Sequence, residues 1–189
     1  MKKILFIVIL FLAPFYSFSQ NKKSIDSFID IPFGSDSATV KAMIAAKNGV
    51  KNDAISRKDY IIFTGLSIGG HRTAMLGVKF VNNKAYEAGF MFSDFKEDDI
   101  LTYYDTFCTD ITAVYGKGTM TNNFGNSNNM LRILKLKSGN ATCSTVWESK
   151  NKNTISLTFR PIDQSLYVLL LYQDGVLWDL NAAERRSDF

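Results

Sequence analysis

Histidine is nearly absent from this chain: His71 is the single one among 189 residues. One imidazole cannot build a His-rich zinc site and leaves little for a Ser-His-Asp or Cys-His mechanism. His71 lies in Gly69-Gly70-His71-Arg72, a turn between strands, and reads as a surface turn residue rather than a general base. Calcium loops are missing too. Asp94, Glu97, Asp98 and Asp99 lack the alternating Asp/Asn and the glycine of an EF-hand, and they read as helix-capping and solvated acids. Gly116-Lys117-Gly118-Thr119 is the one fragment resembling a phosphate loop. It follows a helix, whose C-terminal carbonyls repel phosphate, and Lys117 precedes Gly118 instead of Ser or Thr. Paired carboxylates for glycoside hydrolysis can lie far apart in a chain, and no pair stands out. No catalytic, cofactor-binding or metal-ligating residue is assigned.

Long hydrophobic runs are confined to the first residues. Lys2 and Lys3 precede an unbroken apolar run at 4–12, and Ser17-Phe18-Ser19 supplies a small-x-small cleavage site. This is the pattern of a secretory signal peptide over 1–19. The run falls short of the roughly 20 residues that span a bilayer, and Pro14 interrupts it. No later segment is apolar enough to span. The expected mature protein, 20–189, is exported to the periplasm or the extracellular space. Losing Lys2 and Lys3 lowers the formal charge from +4 to +2, so basicity gives no argument for nucleic acid. The distribution says more: 94–110 carries six acids and one base, whereas 117–172 carries seven bases and two acids. A basic face of that kind suits an anionic protein or envelope polymer.

Periodicity predicts an α+β chain with helices packed on one face of an antiparallel sheet. A short strand is expected at 27–31. A helix at 36–47 follows, capped by Ser35 or Asp36 and stopped at Asn48-Gly49. Strands follow at 60–68, 73–81 and 85–93, with Leu76, Val78 and Phe80 on one face and Tyr86, Ala88, Phe90 and Phe92 on one face. Asn82-Asn83-Lys84 makes the hairpin turn. A helix then starts after Ser93 on an Asp94–Glu97 capping-box pair and ends at Gly116. The stretch 121–129 reads as a loop, and strands are expected at 130–137, 141–149, 153–160 and 165–172. The tail 173–189 reads either as a short helix or as irregular chain. Helix followed by meander occurs twice, dividing one domain into sub-units at 27–93 and 94–172.

Ile31-Pro32-Phe33-Gly34-Ser35 leading into the first helix, the hairpin at 78–84, Val114-Tyr115-Gly116-Lys117 closing the second helix, and Ile155-Ser156-Leu157 before Leu166-Tyr167-Val168 form an arrangement. It resembles exported bacterial small domains of the β-lactamase-inhibitor-protein-like or BamE/SmpA-like group. The resemblance implies an open sheet face that contacts other macromolecules and carries no catalytic residues. The lipoprotein cysteine usual in the BamE-like group is missing here, which argues against an outer-membrane assembly role.

Two cysteines in an oxidising compartment suggest a bridge between Cys108, on the apolar stripe of the second helix, and Cys143, which shares a strand face with Ala141, Thr145 and Trp147. The alternative is two separate buried thiols. The expected wet binding face holds Lys135, Lys137, Thr154, Ser156, Thr158 and Arg160. Phe124 and Trp178 are candidate exposed aromatic anchors, with Trp147 beside them. The resulting expectation is an exported non-catalytic binding domain without a cofactor. Its rivals are an envelope-polymer enzyme acting through scattered carboxylates and a structural envelope component.

Overall fold

The computed structural model describes residues 22–187, so the leader expected at 1–19 lies outside the described residues. The fold is α+β. A hairpin of β1 (Ser27–Phe28) and β2 (Ile31–Pro32) opens it, with Ile29 and Asp30 at positive φ in the turn. The continuous strand expected at 27–31 is therefore two short ones. Helix α1 (Ser37–Ala45) begins where the Asp36 carboxylate accepts a hydrogen bond from the Thr39 amide at 2.7 Å, satisfying an orphan donor of the first turn. Asn48, at φ +64°, then turns the chain.

Strands β3 (Val50–Lys51), β4 (Tyr60–Thr64), β7 (Met75–Val81) and β8 (Lys84–Phe92) form the first meander. Between β4 and β7, Gly65 breaks the strand expected at 60–68, and β5 (Ser67–Ile68) pairs with β6 (His71–Arg72) as a small separate hairpin. The His71 ring does not simply face solvent from this turn. It packs 4.7 Å from the rings of Tyr103 and Phe107. Asn82 and Asn83 both adopt positive φ in the β7–β8 turn, the geometry a two-residue hairpin demands.

A 3₁₀ turn at Glu97–Asp99 leads into α2 (Ile100–Tyr115). The expected capping box is not formed, because no side chain caps this start and Glu97 instead pairs with Lys137 at 2.9 Å. Helix α2 ends at Gly116, where φ is +81° and ψ is −172°. Next come β9 (Thr119–Asn122), α3 (Asn129–Lys137), β10 (Cys143–Glu148), β11 (Thr154–Ile162), β12 (Ser165–Gln173) and α4 (Gly175–Ser187). The tail is thus helical, with Asp174 accepting from the Leu177 amide.

Two stretches differ in kind from the sequence reading: Thr121 and Asn122, expected in the loop 121–129, pair with β10 as the end of β9, and 130–137 is helix, not strand. The alternation Leu134-Lys135-Leu136-Lys137 imitates a two-faced strand. Asn128, however, accepts from the Leu131 amide at 2.9 Å, and Gly139 ends the turn at φ +71°. Those cap and stop positions fix a helix that buries only Ile133 and Leu136.

The large sheet runs β3-β4-β7-β8-β12-β11-β10-β9, antiparallel throughout. From the two edges inward the strands run β3-β4-β7-β8 after α1 and β9-β10-β11-β12 after α2, with α3 inserted between β9 and β10 of the second set, and the last strands β8 and β12 meet in the middle. Helices α1, α2 and α3 bury Val40, Ile44, Tyr104, Phe107, Ile111, Ile133 and Leu136 in one core. Their partners there are Leu76, Val78, Phe80, Phe90, Phe92, Ile155, Leu157 and Leu170 from one face of the sheet. Tyr86 does not join the row of Ala88, Phe90 and Phe92 as expected. The ladder pairs Lys79 with Glu87 but Phe80 with Ala85, so a bulge leaves Tyr86 unpaired, beneath Trp178 of α4.

Two substitutions test this account. Asn128→Ala removes the α3 cap and should cost about 1 kcal/mol in urea unfolding; no change would favour the strand reading. Gly116→Ala should cost about 1–3 kcal/mol, because its backbone angles lie where only glycine is unstrained.

Candidate functional site

Among the described residues, the helix that packs on the second face of the sheet is α4, at the end near Tyr86. The side chains of this face follow from the register. One cross-strand row reads Met75, Met91, Leu169, Thr158, Ser144. The next reads Ile62, Gly77, Gly89, Leu171, Ser156, Val146. A third, polar row reads Tyr60, Lys79, Glu87, Gln173, Thr154, Glu148. Arg160 opposite Tyr167 lies at the other end. Met75, Met91, Tyr167, Leu169 and Leu171 are half-buried. The face is therefore an apolar belt crossing the centre of the sheet, with hydroxyl-bearing Ser and Thr on one flank and charge at both ends.

Two glycines shape the belt. Gly77 and Gly89 are paired neighbours. A Cβ at Gly77 would run into the Tyr60 ring, and one at Gly89 would sit 3.3 Å from Leu171 and 3.7 Å from Leu169. Glycine here lets large side chains from flanking strands lie down over the backbone. At the polar end, Lys79 Nζ stands 2.7 Å from Glu87 Oε1, and Gln173 Nε2 donates to Glu87 Oε2 at 3.4 Å. Burial alone would lower the Lys79 ammonium, but the hydrogen bond to Glu87 and its charge outweigh that and hold it above its usual value. Helix α4 covers this end only. Trp178 packs 6.1 Å from Tyr86, Asn181 donates to the Tyr86 hydroxyl, and the Arg185 guanidinium sits over Trp178.

The sequence-expected face divides between the two sides of the sheet. Thr154, Ser156, Thr158 and Arg160 lie together on β11 on the open side, with the first three half-buried and Arg160 exposed. Lys135 and Lys137 do not join them. They lie on α3, on the core side, where Lys135 donates to Ser127 Oγ at 2.8 Å and Lys137 pairs with Glu97. The basic patch expected from charge counting therefore reduces to Arg160. Phe124 and Trp147 are core residues, not exposed anchors, and Trp178 is half-buried on α4, against Tyr86. Sequence reasoning missed Met75, Met91, Leu169 and Leu171 as a surface. The signal was present in 166–171, almost wholly apolar on both faces of a strand.

Cys108 and Cys143 are free thiols, so the expected bridge is not formed. Helix and strand do bring both to one place, but two hydroxyls occupy it. The Cys108 thiol donates to Thr145 Oγ1 at 3.4 Å, and the Tyr104 hydroxyl is 2.9 Å from the same oxygen while donating to the Leu157 carbonyl at 3.1 Å. Burial pushes both thiols and the Tyr104 phenol upward. Four cavities among the described residues each have a single lining carboxylate, Glu148, Asp59 or Asp105. None presents the carboxylate pair that polymer hydrolysis requires. Among the described residues, no helix is long and apolar enough to cross a membrane. The chain matches no protein-family model, no curated protein and no solved structure.

The buried acids predict an alkaline limit. The folded chain keeps the thiol protons that the unfolded chain loses from 9.0 upward, and the phenols follow from 10.0, with Tyr103 held up to about 12. A group that binds its proton more tightly when folded adds stability below its unfolded value and loses it above. Urea midpoints should fall as pH rises past 9. A midpoint that climbs between pH 9 and 11 would contradict the burial of these groups.

Proposed function

We propose that this protein is an exported, non-catalytic binding domain whose recognition surface is the open face of its eight-stranded sheet. The observation that carries the reading is the apolar belt of Met75, Met91, Leu169 and Leu171, half-buried between polar rims at the centre of the face. Contiguous apolar surface rimmed by polar groups is the physical mark of a protein contact surface. Methionine adapts its shape to a partner, and Arg160 with Tyr167 adds the residue types that anchor interfaces. The partner is an anionic protein or envelope polymer, which offers an apolar projection to the belt and an acid to Arg160. Export depends on 1–19 acting as a cleavable leader, which directs the chain to the periplasm or beyond. The build is that of a β-lactamase-inhibitor-protein-like domain. Support for this comes from two four-stranded antiparallel sets joined in a single sheet, each preceded by a helix, the second interrupted by α3 after its first strand.

A photocrosslinking benzophenone residue placed at Ser156, on the open face, should yield adducts in the cell envelope. The same residue at Asp110, exposed on α2, should yield few. Leu169→Glu with Arg160→Glu should cut the Ser156 adducts about tenfold while leaving the fold intact. Adducts from Asp110 alone, or an unchanged yield in the double variant, would sink the assignment.

A further inference from the structure

On the opposite, helix-covered side of the sheet, residues of α2, α3, β9, β10 and β11 line a partly open cavity of about 190 Å³. Arg132 of α3 and Asp105 of α2 both line it, with Tyr104, Asn122, Phe124 and Phe159. Arg132 is poorly satisfied. Its Nε is shut off from solvent and has no hydrogen-bond partner, and its guanidinium forms no ion pair among the described residues. The guanidinium carbon lies 5.4 Å from the Phe124 ring centroid. Stacking of that kind uses the flat face of the group and leaves its N–H edge unused. Asp105, which also lines the cavity, forms no ion pair among the described residues either.

Two opposite charges thus line one cavity without meeting each other. A buried donor left unmade costs about 1–3 kcal/mol, so its persistence is a reason to look for the group that completes it. A carboxylate matches the planar fork of arginine with two parallel hydrogen bonds. A simple anion would take that site but would also face Asp105. A ligand carrying both a carboxylate and an ammonium satisfies both ends. At roughly 30 Å³ per water, the cavity has room for about six waters, the scale of a small amino acid. Phe124 and Phe159 would wall its side chain.

We propose that this cavity binds a small zwitterion of the α-amino acid class, its carboxylate on Arg132 and its ammonium on Asp105. The site is independent of the open sheet face, and its occupancy would order α3 against α2.

Three probes separate the alternatives in an NMR titration of the protein: L-alanine, acetate and methylammonium. L-alanine should shift the Arg132 Nε–H and the α3 amides to saturation, and acetate and methylammonium should each bind at least about tenfold more weakly. Arg132→Gln and Asp105→Asn should each weaken L-alanine by about tenfold or more. Asp105 is exposed, so its variant keeps the test valid if the Arg132 variant fails to fold. The proposal is overturned if L-alanine produces no saturating shift up to about 100 mM. Acetate binding as tightly as L-alanine overturns it too, as does a folded Asp105→Asn that binds like the wild type.

Discussion

The pairing of β8 with β12 is the constraint on which the rest of the architecture depends. It runs from Val168 opposite Phe92 to Gln173 opposite Glu87 and joins two meanders that meet nowhere else within the sheet. Separated, each half would be a four-stranded sheet with its most apolar strand at an unpaired edge, a template for aggregation. Joined, the two strands become the centre, and alternation does the rest. Leu170 pairs with Phe90 and both enter the core, while Leu169 pairs with Met91 and both point the other way. A single seam therefore generates one shared core and one continuous open face.

That open face explains several features that look unrelated in the sequence. Gly77 and Gly89 weaken their strands as isolated residues, since glycine loses more conformational freedom on folding than any other. Side by side on β7 and β8, next to the seam, they let Tyr60, Leu169 and Leu171 lie flat. The bulge at Lys79/Phe80 turns Tyr86 and Glu87 toward the same side, where α4 and Lys79 satisfy them. The cover stops there. Trp178 closes one end of the face, and the Met and Leu side chains beyond it remain half-buried. Packing completes the core side, while the other side stays available for contact.

The fold was readable wherever one periodicity dominated. The row Ile155, Leu157, Phe159 and the turn at Asn82-Asn83 fell where alternation and left-handed tolerance placed them. Helix α3 was misread because a short basic-apolar alternation satisfies both periods, and only Asn128 and Gly139 distinguish them. That error moved Lys135 and Lys137 onto the wrong surface. The candidate site was less legible for a different reason. Charge and hydroxyl content mark a wet face, whereas the belt consists of residues that sequence patterns assign to a core. Which side of a central strand is covered depends on where distant helices pack, information that no local window holds.

The most direct test is whether the belt meets solvent. Methyl signals of the folded protein should be titrated with a soluble nitroxide, which broadens whatever it can approach. The Met75, Met91, Leu169 and Leu171 methyls should broaden strongly, while those of Leu76, Leu157 and Leu170 stay sharp. Equal protection of the two sets would mean that the second face is covered, and the recognition surface would have to be sought elsewhere.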